Sequence, residues 1–144
     1  LSLAQLVPVS GALVVTTPQD VAFADVRRAI RMFNMTKTPI LGLVENMSHF
    51  VCSSCDTTHE IFGASQITAH AERYDLEVLG RMPLDSVTAL AADKGEPIVI
   101  SQPDGPQAKA YTALAQRVAQ KLAVQSSEAA DLSDKFSNFF QMKR

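Results

Sequence analysis

Hydrophobic positions along the chain follow two periods in alternation. Gly11-Ala12-Leu13-Val14-Val15-Thr16 is an unbroken apolar run rich in β-branched residues, the pattern of a parallel strand covered on both faces. Thr17-Pro18-Gln19-Asp20 then reads as a helix start, with Thr17 as the cap, Pro18 at the first helical position and Asp20 near the positive end. Ala22, Val26, Ala29, Ile30 and Phe33 follow at helical spacing, while Asp25, Arg27, Arg28 and Arg31 lie mostly off that face.

The unit recurs. Pro39 to Glu45 reads as a second strand, Ile67, Ala71 and Tyr74 mark a shorter helix beginning near Ser65, and Leu76 to Arg81 reads as a third strand ended by Met82-Pro83. Asp85 is placed to cap a short helix through Leu90 that Gly95 stops. Ile98-Val99-Ile100 reads as a short edge strand or an extended connection. Beyond Asp104-Gly105-Pro106, a long helix gathers Tyr111, Leu114, Ala115, Val118 and Leu122 on one face. Val124-Gln125-Ser126-Ser127 reads as a weak linker, and Leu132, Phe136, Phe139 and Phe140 lay a further helical stripe along the tail. The expectation is an α/β layer with a mostly parallel sheet and right-handed crossovers over residues 1–124, followed by a helical tail over 125–144.

Composition narrows the picture. The 144 residues suit one domain, and a formal charge of −2 supplies no electrostatic footprint for nucleic acid or an anionic membrane. No apolar run reaches the roughly 20 residues that span a bilayer. Leu1 to Val15 is uncharged but lacks a basic leading region and is broken by Pro8 and Gly11, unlike a secretory leader. Both cysteines sit in one CxxC, which is no secreted disulfide framework, so a cytoplasmic setting is expected. The chain opens at Leu1, and its first residues read as the tail of a helix entering a strand. A fragment or processed product is therefore expected.

In an open α/β sheet, ligands bind beyond the carboxyl ends of the strands. Three such ends carry polar or turn-forming residues: Thr16 to Asp20, Glu45-Asn46-Met47, and Met82-Pro83-Leu84-Asp85. The Asn46 carboxamide offers a donor and an acceptor side by side, suited to a purine edge, although an Asn here equally closes a turn through its own backbone. Pro83 offers a flat wall beside a base or simply a turn. Thr17 and Asp20 fit caps better than phosphate contacts. Neither GxxxxGK[ST] nor GxGxxG occurs, so these residues alone are not expected to hydrolyse a nucleotide.

The stretch His49 to His59 holds Cys52 and Cys55 and is open to four readings. A redox CxxC normally opens a helix directly after a strand, and here no helix begins at Cys52. Zinc within one chain would recruit His49 and His59 at cramped spacing. A metal or cluster on a two-fold axis would take Cys52 and Cys55 from each of two chains, giving four thiolates. Idle thiols are the fourth reading.

The segments GALVVTTPQDVA (11–22), GLVENMSHFVCSSC (42–55), Ile61-Phe62-Gly63, Met82-Pro83-Leu84-Asp85 and Gly95-Glu96-Pro97-Ile98-Val99 together resemble the Mrp/ApbC family. These are deviant-Walker P-loop ATPases that carry iron–sulfur clusters, and the resemblance runs from about Leu1 to Leu122. It implies the C-terminal part of a three-layer P-loop NTPase-like fold, with the glycine-rich phosphate loop and the Mg²⁺-handling aspartates lying upstream of Leu1. It also implies a homodimer or related heterodimer with a [4Fe–4S] cluster bridged by paired Cys52 and Cys55, and delivery of that cluster to apo-proteins. ATP would be seated by Asn46 and by the Pro83 to Asp85 loop. The family commonly has Pro after the first cysteine and Gly after the second, where this chain has Ser53 and Asp56. The tail after Ala123 falls outside the shared pattern. The competing expectation is a zinc-binding or interaction module whose CxxC serves folding or dimerisation.

Overall fold

The computed structural model describes Val7 and residues 9–141, with side chains described through Ser127. Three strands, β1 (Ala12–Thr16), β2 (Ile40–Glu45) and β5 (Val78–Arg81), form a parallel sheet in the order β1-β2-β5. A two-stranded antiparallel ribbon, β3 (Phe50–Val51) with β4 (Thr58–His59), stands apart from it. The helices are α1 (Asp20–Met35), α2 (Ile67–Arg73), α3 (Ser86–Asp93), α4 (Ile98–Ser101) and α5 (Pro106–Gln141).

The sheet is the middle of three layers. On one face Val14, Phe23, Val26, Ile30, Leu43, Ile67 and Ala71 pack together, bringing α1 and α2 onto β1 and β2. On the other, Leu41, Val44, Leu79 and Met82 pack under Leu114, Val118 and Leu122 of α5. Arg117 of α5 adds a hydrogen bond from its guanidinium to the Leu79 carbonyl at 2.9 Å. β2 lies between its two neighbours, and Leu41 to Glu45 are all buried, which is why it reads as a continuous apolar run.

A bulge at Leu41-Gly42 resets the alternation of β2 between the two layers. The β1–β2 register skips a residue between Ala12 and Leu13, so Leu41 and Val44 serve one face while Leu43 serves the other. A side chain at Gly42 would put its Cβ 2.6 Å from both the Glu77 carbonyl oxygen and Leu79 Cγ, and the backbone there holds φ +156°. Only glycine lets the strands approach this closely.

Four sequence expectations change. Thr17 does not cap α1: residues 17–19 stay outside the helix, Gln19 occupies the cap position in an extended conformation, and no side chain bonds to the helix end. β1 is not covered on both faces, because Val15 is 54% exposed on what is an edge strand of the described sheet. Ile98 to Ile100 forms a helical turn, since Pro97 starts it and its carbonyl receives the N–H groups of Ile100 and Ser101. Among the described residues no strand lies alongside for these three β-branched residues to pair with. Finally, residues 124–127 continue α5 without a break. The run contains neither Gly nor Pro, and the Ser126 and Ser127 hydroxyls donate back to the Leu122 and Val124 carbonyls. The side chains of Leu132, Phe136, Phe139 and Phe140 lie outside the described residues.

Asp85 caps α3 as expected, accepting from Thr88 N–H at 2.7 Å, and Gly95 ends it with φ +74°. Replacing Gly42 with Ala is expected to destabilise the fold by at least ~1–3 kcal/mol through overpacking, measured as a lowered midpoint in urea unfolding.

Candidate functional site

The carboxyl ends of β2 and β5 do not separate where the strands stop. Met82 N–H donates to the Glu45 carbonyl at 2.8 Å, Ser48 N–H to the Met82 carbonyl at 2.9 Å, and Leu84 N–H to the His49 carbonyl at 2.7 Å. Two loops that leave the sheet side by side are thus stitched together. On the first of them, Ser48 is buried, and its hydroxyl also donates to the Met82 carbonyl at 3.0 Å while lying 2.7 Å from His49 Nδ1.

Glu45 closes the other side of this junction. Its carboxylate is 1% exposed, and Oε1 accepts from the Ser65 hydroxyl at 2.6 Å, so the chain leaving β2 and the chain returning into α2 meet at one group. Arg81 Nε stands 3.8 Å from Oε2, beyond hydrogen-bonding distance, and the Arg81 guanidinium donates instead to Thr68 Oγ1. Oε2 has no hydrogen-bond partner among the described residues.

Between these anchors the chain runs out as the β3–β4 ribbon. Phe50 pairs with His59 and Val51 with Thr58. The tip closes through Cys52 N–H to the Thr57 carbonyl and Asp56 N–H to the Cys52 carbonyl, both 2.9 Å. Asp56 adopts φ +54°, the left-handed region that glycine enters freely and aspartate enters at a cost. Here stands the residue that the resemblance expects to be glycine, and the backbone explains that preference.

The two thiols differ in setting: Cys52 is half-buried and Cys55 fully exposed. Cys55 Sγ donates to Thr57 Oγ1 at 3.2 Å as a thiol. Once ionised it accepts from the Thr57 hydroxyl, then from the Thr57 backbone N–H and the Cys52 side chain, and these contacts hold its pKa below the ordinary cysteine value. The thiolate is the form that binds metal. Among the described residues no three His, Cys, Asp or Glu side chains gather at one point. His49 is held by Ser48 and His59 sits in the ribbon, so the tip presents two sulfurs. Val51, Ile61 and Phe62 lie exposed along the same excursion.

Asn46 and the Pro83 to Asp85 loop follow the ends of β2 and β5 into the stitched junction, with Asn46 N–H donating to the Thr16 carbonyl of β1 at 2.7 Å. Asn46 Oδ1 accepts from Met47 N–H at 3.0 Å, with Met47 at φ +55°, so the carboxamide oxygen is engaged by the backbone of the next residue within the turn. Its amide nitrogen makes no hydrogen bond among the described residues. The Asp85 carboxylate is engaged by Thr88 N–H and Thr88 Oγ1, both at 2.7 Å, and shapes the loop through its helix cap. Sequence reasoning did not single out Ser48, Thr57 or Ser65, and it named Glu45 only as part of a polar strand end. Only Glu45 carried a signal, as a carboxylate closing an otherwise apolar strand.

Thr57→Val removes the largest influence on Cys55. The Cys55 pKa then rises, and its alkylation by iodoacetamide at neutral pH slows several-fold, with the midpoint of the rate–pH profile moved upward. Mass spectrometry of the alkylated peptide checks this.

Three comparisons bear on identity. The family model for the ParA-type NUBPL iron-transfer P-loop NTPases matches residues 1–119. An iron-sulfur cluster carrier protein of Aquifex aeolicus is 48% identical over 120 residues, covering 83% of this chain and 33% of that protein. A mitochondrial iron-sulfur protein required for NADH dehydrogenase in Arabidopsis thaliana is 41% identical over 143 residues, 99% of this chain and 44% of its own length, so its likeness continues through the tail. The nucleotide-binding protein of Archaeoglobus fulgidus, solved with ADP, superposes with a TM-score of 0.56 at 34% identity over 67% of this chain and 38% of that one. This chain therefore spans between a third and somewhat under half of these relatives. By matched residues, by identity and by its parallel three-layer sheet, the chain belongs to the NUBPL iron-transfer P-loop NTPases.

Proposed function

We propose that this chain is the cluster-holding part of an ATP-dependent iron–sulfur carrier, which binds a [4Fe–4S] cluster between two copies and passes it to apo-proteins. The observation that carries the reading is the ribbon tip. Cys52 and Cys55 stand together at the end of an exposed hairpin, one of them primed toward thiolate, with no third ligand side chain nearby among the described residues. Two sulfurs are half of the usual cluster set, and a second copy about a two-fold axis supplies the other half. Exposed Val51, Ile61 and Phe62 give such an interface an apolar rim. The Aquifex relative is named a cluster carrier, and the cluster is cargo in this reading.

The nucleotide enters at the junction behind the hairpin. Asn46 retains its amide nitrogen for a base acceptor, and Pro83 with the Asp85-capped turn forms the wall beside it. The solved relative holds ADP. Phosphate and Mg²⁺ chemistry would come from the glycine-rich loop that the resemblance places upstream, a motif these 144 residues lack.

Anaerobic reconstitution with iron and sulfide is expected to give half a cluster per chain with thiolate-to-iron absorbance, and Cys52→Ser or Cys55→Ser is expected to remove it. Iron loading that survives loss of both thiols, or tight colourless zinc in protein purified without oxygen, would sink the reading. The 144 residues alone are expected to show no Mg²⁺-dependent ATP hydrolysis in a phosphate-release assay.

A further inference from the structure

Ser48 makes more hydrogen bonds than the strand junction requires. Its N–H already continues the β2–β5 ladder onto the Met82 carbonyl at 2.9 Å. Its buried hydroxyl then donates to the same carbonyl at 3.0 Å. Two donors from one residue on one oxygen fix direction as well as distance. The hydroxyl has a single proton, and with that proton on Met82, the 2.7 Å contact to His49 Nδ1 requires the ring to donate to Ser48 Oγ. His49 is also held through its own carbonyl by Leu84 N–H at 2.7 Å.

The residues on either side of this junction have different tasks in the reading above. Met82 leads directly into Pro83 and Asp85, the wall beside the base, and His49 leads directly into β3 and Cys52. Cys52 lies four steps along the chain from Ser48, so the two are at most ~14 Å apart. Phe50 and Val51, paired with His59 and Thr58, leave little slack between them.

We infer that Ser48 is a positioning residue that couples occupancy of the base crevice to the order of the cysteine hairpin, through Met82 on one side and His49 on the other. A base seated against Pro83 fixes the Met82–Leu84 segment; Ser48 and His49 pass that constraint to the root of β3; and the tip bonds at Cys52 and Asp56 open less often. This coupling rests on the nucleotide half of the proposed function and needs no cluster to be present.

The test uses a full-length chain containing these 144 residues, free of metal, with ADP as the probe. Hydrogen exchange is read at the Cys52 and Asp56 amides, both hydrogen-bonded in the tip. In the wild type, ADP is expected to slow exchange at these amides by about fivefold or more, the lower range of measured couplings between sites. Ser48→Ala is expected to bind ADP with affinity within about threefold but bring that ratio to about one, and Ser48→Thr, which keeps the hydroxyl, to restore it. A merely structural serine would raise exchange equally with and without ADP and leave the ratio intact, and that result overturns the inference. So does a wild type that binds ADP without protecting the tip. Failure to bind ADP removes the nucleotide half of the function and this coupling with it. The iron-loading experiment with the cysteine variants stands or falls separately from all three results.

Discussion

The functional end of the molecule depends on a carboxylate that has no access to water. Glu45 terminates β2, the strand of the described sheet that is buried on both faces, and a polar group so placed needs partners. It finds Ser65, twenty residues further on, and so ties together the two ends of the excursion that carries the cysteines. The same strand end continues the ladder on both sides, Asn46 N–H onto the Thr16 carbonyl and Ser48 N–H onto the Met82 carbonyl. The hairpin therefore leaves the core from a root fixed on both sides, although its own strands are two residues long. Isolated ribbons of that size do not hold a shape in water.

Polar side chains at this end divide into those spent on the scaffold and those left for a ligand. Asp85 is committed to its helix, Ser48 and Ser65 to the junction, and the Asn46 oxygen to a turn. Among the described residues the Asn46 amide nitrogen and Glu45 Oε2 stay without a hydrogen-bond partner, and the two thiols reach only Thr57 and each other. A crevice with few free groups, each set by an occupied neighbour, is better ordered than one whose residues all await a partner.

The sequence made the layer architecture legible because apolar periodicity is a property of burial. β2 is buried on both faces and reads as a solid run; α1 and α5 are buried on one and read as stripes. Features set by single hydrogen bonds were less visible. Thr17 has the right chemistry for a cap, yet the chain is still extended at Gln19 when the helix begins. Ile98 to Ile100 has strand composition but no neighbour to pair with among the described residues, and local bonds to Pro97 prevail. The ribbon was hidden because its strands are too short to show a period, with Asp56 in a left-handed turn as its only local mark. Asn46, Pro83 and the cysteines were legible as residues of interest, whereas Ser48 and Ser65 were not, since a serine that bridges distant carbonyls leaves no trace in spacing. The division of the chain after residue 124 had a compositional basis, but serines without glycine or proline do not interrupt a helix already anchored by Leu114, Val118 and Leu122.

The ribbon tip contributes almost nothing to the two apolar clusters that hold the sheet between its helices. Its backbone bonds face solvent, and only the junction at Ser48, His49 and Glu45 ties it to them. Order at the tip and cohesion of the core are therefore separate thermodynamic quantities. A global unfolding curve reports the second and is blind to the first. The same independence means that the serine at 53 and the left-handed aspartate at 56 bear on the order of the turn and not on the packing of the two clusters beneath it.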